Sequence, residues 1–507
     1  MKLGEHLTAI LEIDPSAPAV EFHDHWTTWG DLASIGQQLD ALLLGAGLGA
    51  GIPVACLLRT RPEHIGVVLG LLGTDRTVVT VNPQQGADKL LADLRALRPM
   101  VIVADDDAWQ STELVAVLDE LETIGIAVRA TPPTATLVGV RNRPGAGPRL
   151  EVPPGTAVQM LTSGTTGTPK RVPLAYRSLE ESLLGAQHYE SAKKDSGPRL
   201  ATGVRVTGSP LVHISGIWDT LTSVVAGRRM SLMERFRVED WVELVRRHRP
   251  KAISLVPSAL RTVLAADLDP ADLSSLQVVT CGTAPLEPAT AIAFEEKYGI
   301  PVLITYGATE FAGGVTGWTL RDHHEWSATK RGSVGRAHPG TDLRIVEADS
   351  GEVLGPDQVG VLEVRSTQLG LDRGWVRTTD LASLDTEEFL WLHGRSDDAI
   401  IRGGFKIVPT DVQHVLESHP AIREATVVGL ADERLGAVPV AAVELEPGAH
   451  LDEAELLDFA RRNLTGYAVP VAVRVVGSLP RTPSLKVSRP TVLAMFTEGT
   501  ATEGTAP

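Results

Sequence analysis

At 507 residues the chain is too long for one ordinary hydrophobic core, so at least two domains are expected. A hydrophobic fraction of 43% is enough to build them, and the 48 glycines and 33 prolines are scattered rather than periodic, as in a globular protein. A formal net charge of −16 argues against a nucleic-acid partner, since docking on phosphate backbones selects basic surfaces, but it leaves room for an anionic nucleotide bound locally.

The opening residues show no basic stretch leading into an apolar run, and no apolar segment approaches bilayer length, so neither a leader nor a membrane span is expected. Apolar residues recur at helical spacing from Leu32 to Leu44, after which the glycine-rich turn 45–51 leads to a strand at VACLL. The run Gly45 to Ala50 imitates a dinucleotide fingerprint, but that motif follows a strand and opens a helix; here the order is reversed and a plain turn is the reading. Three more helix-then-strand blocks follow: IGVVLGLLG with TVVTV, KLLADLRAL with MVIVADD, and LVAVLDELETIG with IAVRA. Apolar strands alternating with helices predict a parallel sheet covered on both faces, and a similar alternation returns between Trp241 and Tyr306. From Gly332 to Leu392 short β-rich runs separated by Gly, Asp and Pro predict a small antiparallel region. Beyond Arg395 the segments read as a compact α/β unit of roughly 100 residues, an ordinary domain size. The end, TEGTATEGTAP, has nothing to bury and is expected to be disordered. Cys56 and Cys281 form no CxxC pair, so neither a zinc site nor a disulfide framework is expected and a reducing cytoplasm fits.

The segment Leu161–Leu174, LTSGTTGTPKRVPL, carries the strongest chemical signal. Its apolar lead-in predicts a strand releasing into Thr162, Ser163, Gly164, Thr165, Thr166, Gly167 and Thr168, then Pro169 and Lys170. Glycines let backbone N–H groups turn toward an anion, hydroxyls add donors, and the lysine supplies a compensating charge, so such a loop can wrap a polyphosphate. It is not a P-loop, because Pro169 separates the lysine from the glycines and Arg171 follows it. A solvated surface loop is the plainer reading of the same composition.

This segment resembles the phosphate loop of the adenylate-forming superfamily, which includes acyl-CoA synthetases, luciferases and nonribosomal peptide adenylation domains. Further segments fit in the family's order. Tyr306-Gly307-Ala308-Thr309-Glu310 resembles YGxTE, which implies a ring near adenine at Tyr306, a phosphate contact at Thr309 and a magnesium ligand at Glu310. Asp380, in WVRTTD, is similar to the aspartate that takes the ribose hydroxyls, with Thr379 where glycine is usual. Gly394 to Ile400, GRSDDAI, resembles GRxxDxI, implying a ribose contact at Arg395 and a hinge at Asp397. LPRTPSLK resembles LPRTxxGK, implying that Lys486 enters the site during adenylation, with Leu485 replacing the usual glycine. PLVHISG resembles the PLxHxxG stretch and TCGTAPL the GxAPL strand end beside the acyl site, which implies roles for His213, Ser215, Gly216, Ile217, Gly282, Thr283, Ala284 and Gly307. Gly403, Gly404 and Lys406 fall where the family forms part of its thiol tunnel.

The resemblance covers roughly Trp26 through Lys486. It implies an α/β fold: a large N-terminal domain over 1–394, made of parallel-rich subdomains plus a small β region, a small mobile C-terminal domain over 395–490, and a tail over 491–507. It also implies the chemistry. A carboxylate attacks the α-phosphorus of ATP, pyrophosphate leaves, magnesium and Lys486 stabilise the charge, and rotation at Asp397 admits coenzyme A. His213 to Trp218 lacks the aspartate that grips an α-amine, which disfavours an amino acid; small residues leave room for an aromatic, fatty or polycyclic acid. A carrier protein or an amine as acceptor stays open, as does a non-catalytic nucleotide or acyl-adenylate binder, although Glu310, Asp380, Arg395 and Lys486 argue for an enzyme.

Overall fold

The computed structural model describes residues 2–497 apart from 133, 142–144, 146, 148, 163–169, 188–196, 370–373, 397, 403–404, 433 and 483–485, with backbone alone at 162, 184–187 and 406. The fold is mixed α/β, and its described residues divide into two compact units. One takes in the residues up to Thr341 together with 366–369 and 374; the other takes in Asp342–Arg365 and the residues from Trp375 on.

The first unit is built on a seven-stranded sheet in the spatial order Thr134–Arg141, Ile124–Thr131, Val101–Asp105, Pro53–Leu57, Thr77–Val81, Thr156–Thr162, Lys170–Ala175. Its five inner strands run parallel, and the strand at each edge is antiparallel to its neighbour. Alternation along a strand sends side chains to opposite faces, which explains the unbroken apolar runs. Val54 and Cys56 pack with helices Trp29–Gly45 and Pro62–Gly73, whereas Ala55 and Leu57 pack with Leu94, Leu97, Leu114 and Val117 from helices Ala87–Leu97 and Thr112–Glu120. A second sheet joins Val204–Thr207, Arg229–Leu232, Pro18–Phe22 and His25–Thr28. The third sets Ala252–Leu255, Val278–Cys281 and Val302–Ala308 parallel, then adds Gly313–Gly317 and Arg336–Ala337 antiparallel. Its core is filled by Trp241, Val245, Leu260, Val263 and Phe294 from the covering helices.

An N-terminal helix, Leu3–Ile13, has no counterpart in the sequence reading; it buries Leu3, Leu7, Ile10 and Leu11 along one stripe. No helix among the described residues is long and apolar enough to cross a membrane.

In the second unit, Gly360–Ser366, Val376–Leu384 and Leu390–Arg395 form an antiparallel sheet whose fourth strand is Thr341–Val346. A further sheet orders Phe405–Ile407, Ile400–Arg402, Gly436–Leu445 and Ile422–Asp432, with Ala472–Val476 parallel to Gly436–Leu445. Helices Pro409–Glu417 and Glu453–Asn463 supply Val412, Leu416, Leu456 and Ala460 to its core. Residues 491–497, expected in the tail, belong to helix Arg489–Thr497, which anchors itself by burying Val492 and Phe496. The rest of the expected tail, 498–507, lies outside the described residues.

Candidate active site

In the first unit, the parallel strands Ala252–Leu255, Val278–Cys281 and Val302–Ala308 end along one edge of their sheet, the carboxyl edge where open α/β sheets bind ligands. Gly282, Thr283 and Ala284 follow the middle strand directly, and the Tyr306–Glu310 segment closes the third. Gly282 is backed so closely that a Cβ there would stand 2.6 Å from Thr305 Oγ1. Thr283 adopts φ 73°, a left-handed conformation that a β-branched residue reaches only against steric cost, so backbone strain sits at this strand end. Just before it, burial pushes the Cys281 thiol up to about 12.

Tyr306, Gly307 and Ala308 pair with the strand Gly313–Gly317, and the register shifts between Tyr306 and Gly307. Thr309–Phe311 form the 3₁₀ turn that joins the two strands, and Phe311 is buried beneath it. The glycine at 307 is required by close approach: a Cβ would lie 2.2 Å from the Gly313 carbonyl oxygen and 2.7 Å from Gly314 Cα. This turn leaves the Glu310 carboxylate exposed and in no ion pair among the described residues. Such a hard oxygen donor suits a magnesium ion. No group of three or more metal-ligating side chains is found among the described residues, so the fit rests on one carboxylate plus oxygens that a phosphate chain would itself bring.

Two other segments reach this turn. Thr162 and Lys170 are register partners at the mouth of the hairpin that carries the Ser/Thr/Gly loop, and the strand Lys170–Ala175 runs beside Thr309–Phe311. Arg171 ties that strand down, donating to the Thr80 carbonyl at 3.0 Å and to Asp93 Oδ2 at 2.6 Å. The loop members Ser163, Gly164, Thr165, Thr166, Gly167 and Thr168 lie outside the described residues, as does the side chain of Thr162. His213 is the N-cap residue of helix Ile214–Val225, half-buried like Ser215. Gly216 sits where a Cβ would stand 2.2 Å from the Pro210 carbonyl oxygen, so only glycine lets the helix start this close to the preceding turn. Ile217 is wholly buried among Leu211, Val212, Leu221 and Val224. Its neighbour Trp218, which the sequence reading does not single out, turns toward the Tyr306 hairpin. Trp218 Nε1 donates to Ser182 Oγ at 3.0 Å, and a Cβ on Gly313 would meet both side chains. The paired glycines Gly313-Gly314 are the available signal for this close packing.

In the second unit, Asp380 and Arg395 are direct cross-strand partners. The Asp380 N–H donates to Thr378 Oγ1 at 3.0 Å, and the Arg395 guanidinium donates through Nη2 to Thr379 Oγ1. Gly394 takes φ 120°, and a Cβ there would lie 2.6 Å from Thr410 Oγ1, so the glycine of GRSDD permits a helix to pack against the strand. Asp397 lies outside the described residues; Asp398 beside it is ion-paired with Arg489 at the start of the last helix. Lys486 is exposed; its carbonyl accepts from the Thr482 N–H at 2.7 Å, and Arg481 forms a β-bridge with Val487. Arg481 is in turn ion-paired with Glu424. Gly403, Gly404, the Lys406 side chain and Leu485 lie outside the described residues.

The profile of the AMP-binding enzyme family matches residues 9–371, and that of the AMP-binding enzyme C-terminal domain matches residues 411–486. The chain belongs to the AMP-binding enzyme family. The adenylate-forming resemblance read from the motifs is thereby borne out, together with the α/β fold it implied. Among relatives of this AMP-binding enzyme, a 2-succinylbenzoate–CoA ligase of Geobacillus kaustophilus is 31% identical over 498 residues, 94% of each chain. An indoleacetate–CoA ligase of Aromatoleum aromaticum is 28% identical over 530 residues spanning 100% of both chains. The solved structure of the amide bond synthetase McbA from Marinactinospora thermotolerans superposes with a TM-score of 0.79 at 25% identity, covering 97% of this chain and 100% of that one.

Proposed function

We propose that this AMP-binding enzyme is an acid–thiol ligase that activates a carboxylic acid with ATP and passes the acyl group to coenzyme A. The observation that carries the reading is the end-to-end match to CoA ligases, 94% of each chain at 31% identity. In the first step a carboxylate oxygen attacks the α-phosphorus, the bond to the β-phosphate oxygen breaks, and pyrophosphate leaves with the electron pair. In the second, the thiol sulfur attacks the acyl carbon, AMP leaves, and the thiol proton passes to solvent. Magnesium, held at Glu310, would neutralise phosphate charge. Lys170 and the hydroxyls of the 163–168 loop bind the phosphates, with Thr309 a further donor to them. Tyr306, Gly282, Thr283 and Ala284 border the base, and Asp380 and Arg395 hold the ribose. His213, Ser215, Gly216 and Gly307 line the acid's approach. Lys486 delivers a positive charge to the phosphates during adenylation, on a C-terminal domain that turns about Asp397; Gly403, Gly404 and Lys406 border the thiol's path. The two buried cysteines, both free, suit a reducing cytoplasm.

Pyrophosphate release across a panel of aryl, fatty and polycyclic acids, followed by addition of coenzyme A and mass analysis of the product, tests both halves. A thioester mass is expected, and absence of pyrophosphate with every acid would remove the proposal. The likeness to an amide bond synthetase favours a second reading, in which an amine takes the acyl group from the same adenylate. Amide in place of thioester, when both acceptors are supplied, would select it.

A further inference from the structure

We infer that Thr379 is a positioning residue for ATP: its hydroxyl holds the Arg395 guanidinium in the orientation that meets the ribose. The inference rests on the role proposed above for Arg395 and adds the group that aims it. An arginine side chain is long and must be fixed before its rigid fork of donors can serve recognition. Here Arg395 Nη2 donates to Thr379 Oγ1, one residue from Asp380, whose backbone is the cross-strand register partner of Arg395 itself.

The acceptor is well fixed. Thr379 lies inside the strand Val376–Leu384, where a β-branched side chain has restricted χ1. Its carbonyl accepts from both Ser396 N, at 2.7 Å, and Ser396 Oγ, at 3.0 Å. The adjoining Thr378 acts on the backbone instead, since its hydroxyl donates to the Leu362 carbonyl at 2.9 Å and accepts from the Asp380 N–H at 3.0 Å. Backbone order in this segment therefore comes from Thr378 and Ser396, while the Thr379 hydroxyl serves the arginine. Both Thr379 and Arg395 are half-buried, so the bond is only partly open to competition from water.

The test uses the full-length enzyme with an acid that supports pyrophosphate release, and compares Thr379→Val, Thr379→Ser and Arg395→Ala. Valine keeps shape and strand preference while removing the acceptor; serine keeps the acceptor. T379V is expected to raise KM for ATP about tenfold, the worth of one hydrogen bond to a charged group, with kcat altered less than about twofold and KM for the acid unchanged. T379S is expected to restore the ATP KM, and calorimetry of AMP binding should show the same rank order without turnover. In the combined variant, T379V should add nothing to R395A. If R395A raises the ATP KM while T379V leaves it at the parental value, Thr379 has no positioning role and the ribose assignment stands. If R395A itself leaves ATP and AMP binding unchanged, the assignment of Arg395 falls and that of Thr379 with it.

Discussion

Gly307→Ala is the most demanding check on the Tyr306 hairpin, because it adds one methyl group where two backbones already touch. The new Cβ would stand 2.2 Å from the Gly313 carbonyl oxygen and 2.7 Å from Gly314 Cα, whereas ordinary contact begins near 3.4 Å. The shortfall is about 1 Å against main-chain atoms, and no rotamer change can relieve it. Gly307 and Gly314 are register partners, so the strand Gly313–Gly317 must shift, carrying with it one end of the turn that presents Thr309 and Glu310. Overpacking of this kind costs about 1–3 kcal/mol, which a large domain can absorb without unfolding. The chemical cost is of similar size but falls on catalysis: with Thr309 and Glu310 in the roles proposed above, displacing them by about 1 Å is expected to lower the rate by about 10²-fold. The assay is pyrophosphate release at saturating ATP and acid, read alongside the thermal unfolding midpoint. A folded G307A enzyme that turns over at the parental rate would refute the reasoning, since either the hairpin yields at no cost or Thr309 and Glu310 do not act in adenylation.

Lys486→Ala should lower the adenylation rate by about 10²–10³ while leaving the unfolding midpoint in place, because the side chain is exposed and supplies charge rather than packing; full pyrophosphate release by this variant would dismiss the residue. Glu295→Gln tests electrostatics at the amino end of the strand Val302–Ala308, where the Val302 N–H donates to Glu295. Burial by itself raises the Glu295 carboxyl, but the His323 ring, the Val302 N–H and Arg331 outweigh it and hold the group below the ordinary range. A depressed folded-state pKa gives stability that is present above the unfolded value, about 4.3, and is lost as pH falls through the folded one. E295Q is therefore expected to unfold at lower urea than the parent at pH 7, with the difference shrinking below about pH 4; a constant gap from pH 7 to pH 3 would contradict this. Cys281, 1% exposed and shifted toward the protonated thiol, should resist iodoacetamide at pH 8 in the folded enzyme and react once urea unfolds it. Stoichiometric labelling of the native protein would show that the strand end opens.

How much of the molecule is legible in its sequence depends on whether a residue's partner is near along the chain. The parallel sheet is legible because burial on two faces writes itself into consecutive residues: Val54 and Cys56 serve one core and Ala55 and Leu57 another, so the strand can only read as an apolar run. The helix Leu3–Ile13 carries an equally regular stripe at Leu3, Leu7, Ile10 and Leu11, but opening residues invite the question of a leader, and that question hides the stripe. Motifs announce residue types, and the fold decides what each one meets. Ile217 and Trp218 stand about 100° apart on one helix. Sequence favours the first for the acyl pocket, yet the first is sealed in the core and the second faces Gly313, a choice made by a strand almost a hundred residues away. Thr379 shows the same dependence from the other side. Along the chain it is a departure from an expected glycine, raising a question about backbone shape; across the sheet, its hydroxyl accepts from Arg395 while Ser396 secures its carbonyl. A substitution that looks like lost flexibility in one dimension supplies a hydrogen-bond acceptor in three. The motif's chemistry can therefore survive the change only if the arginine it now restrains is aimed at the ligand, a condition that ATP affinity in the valine and serine variants measures directly.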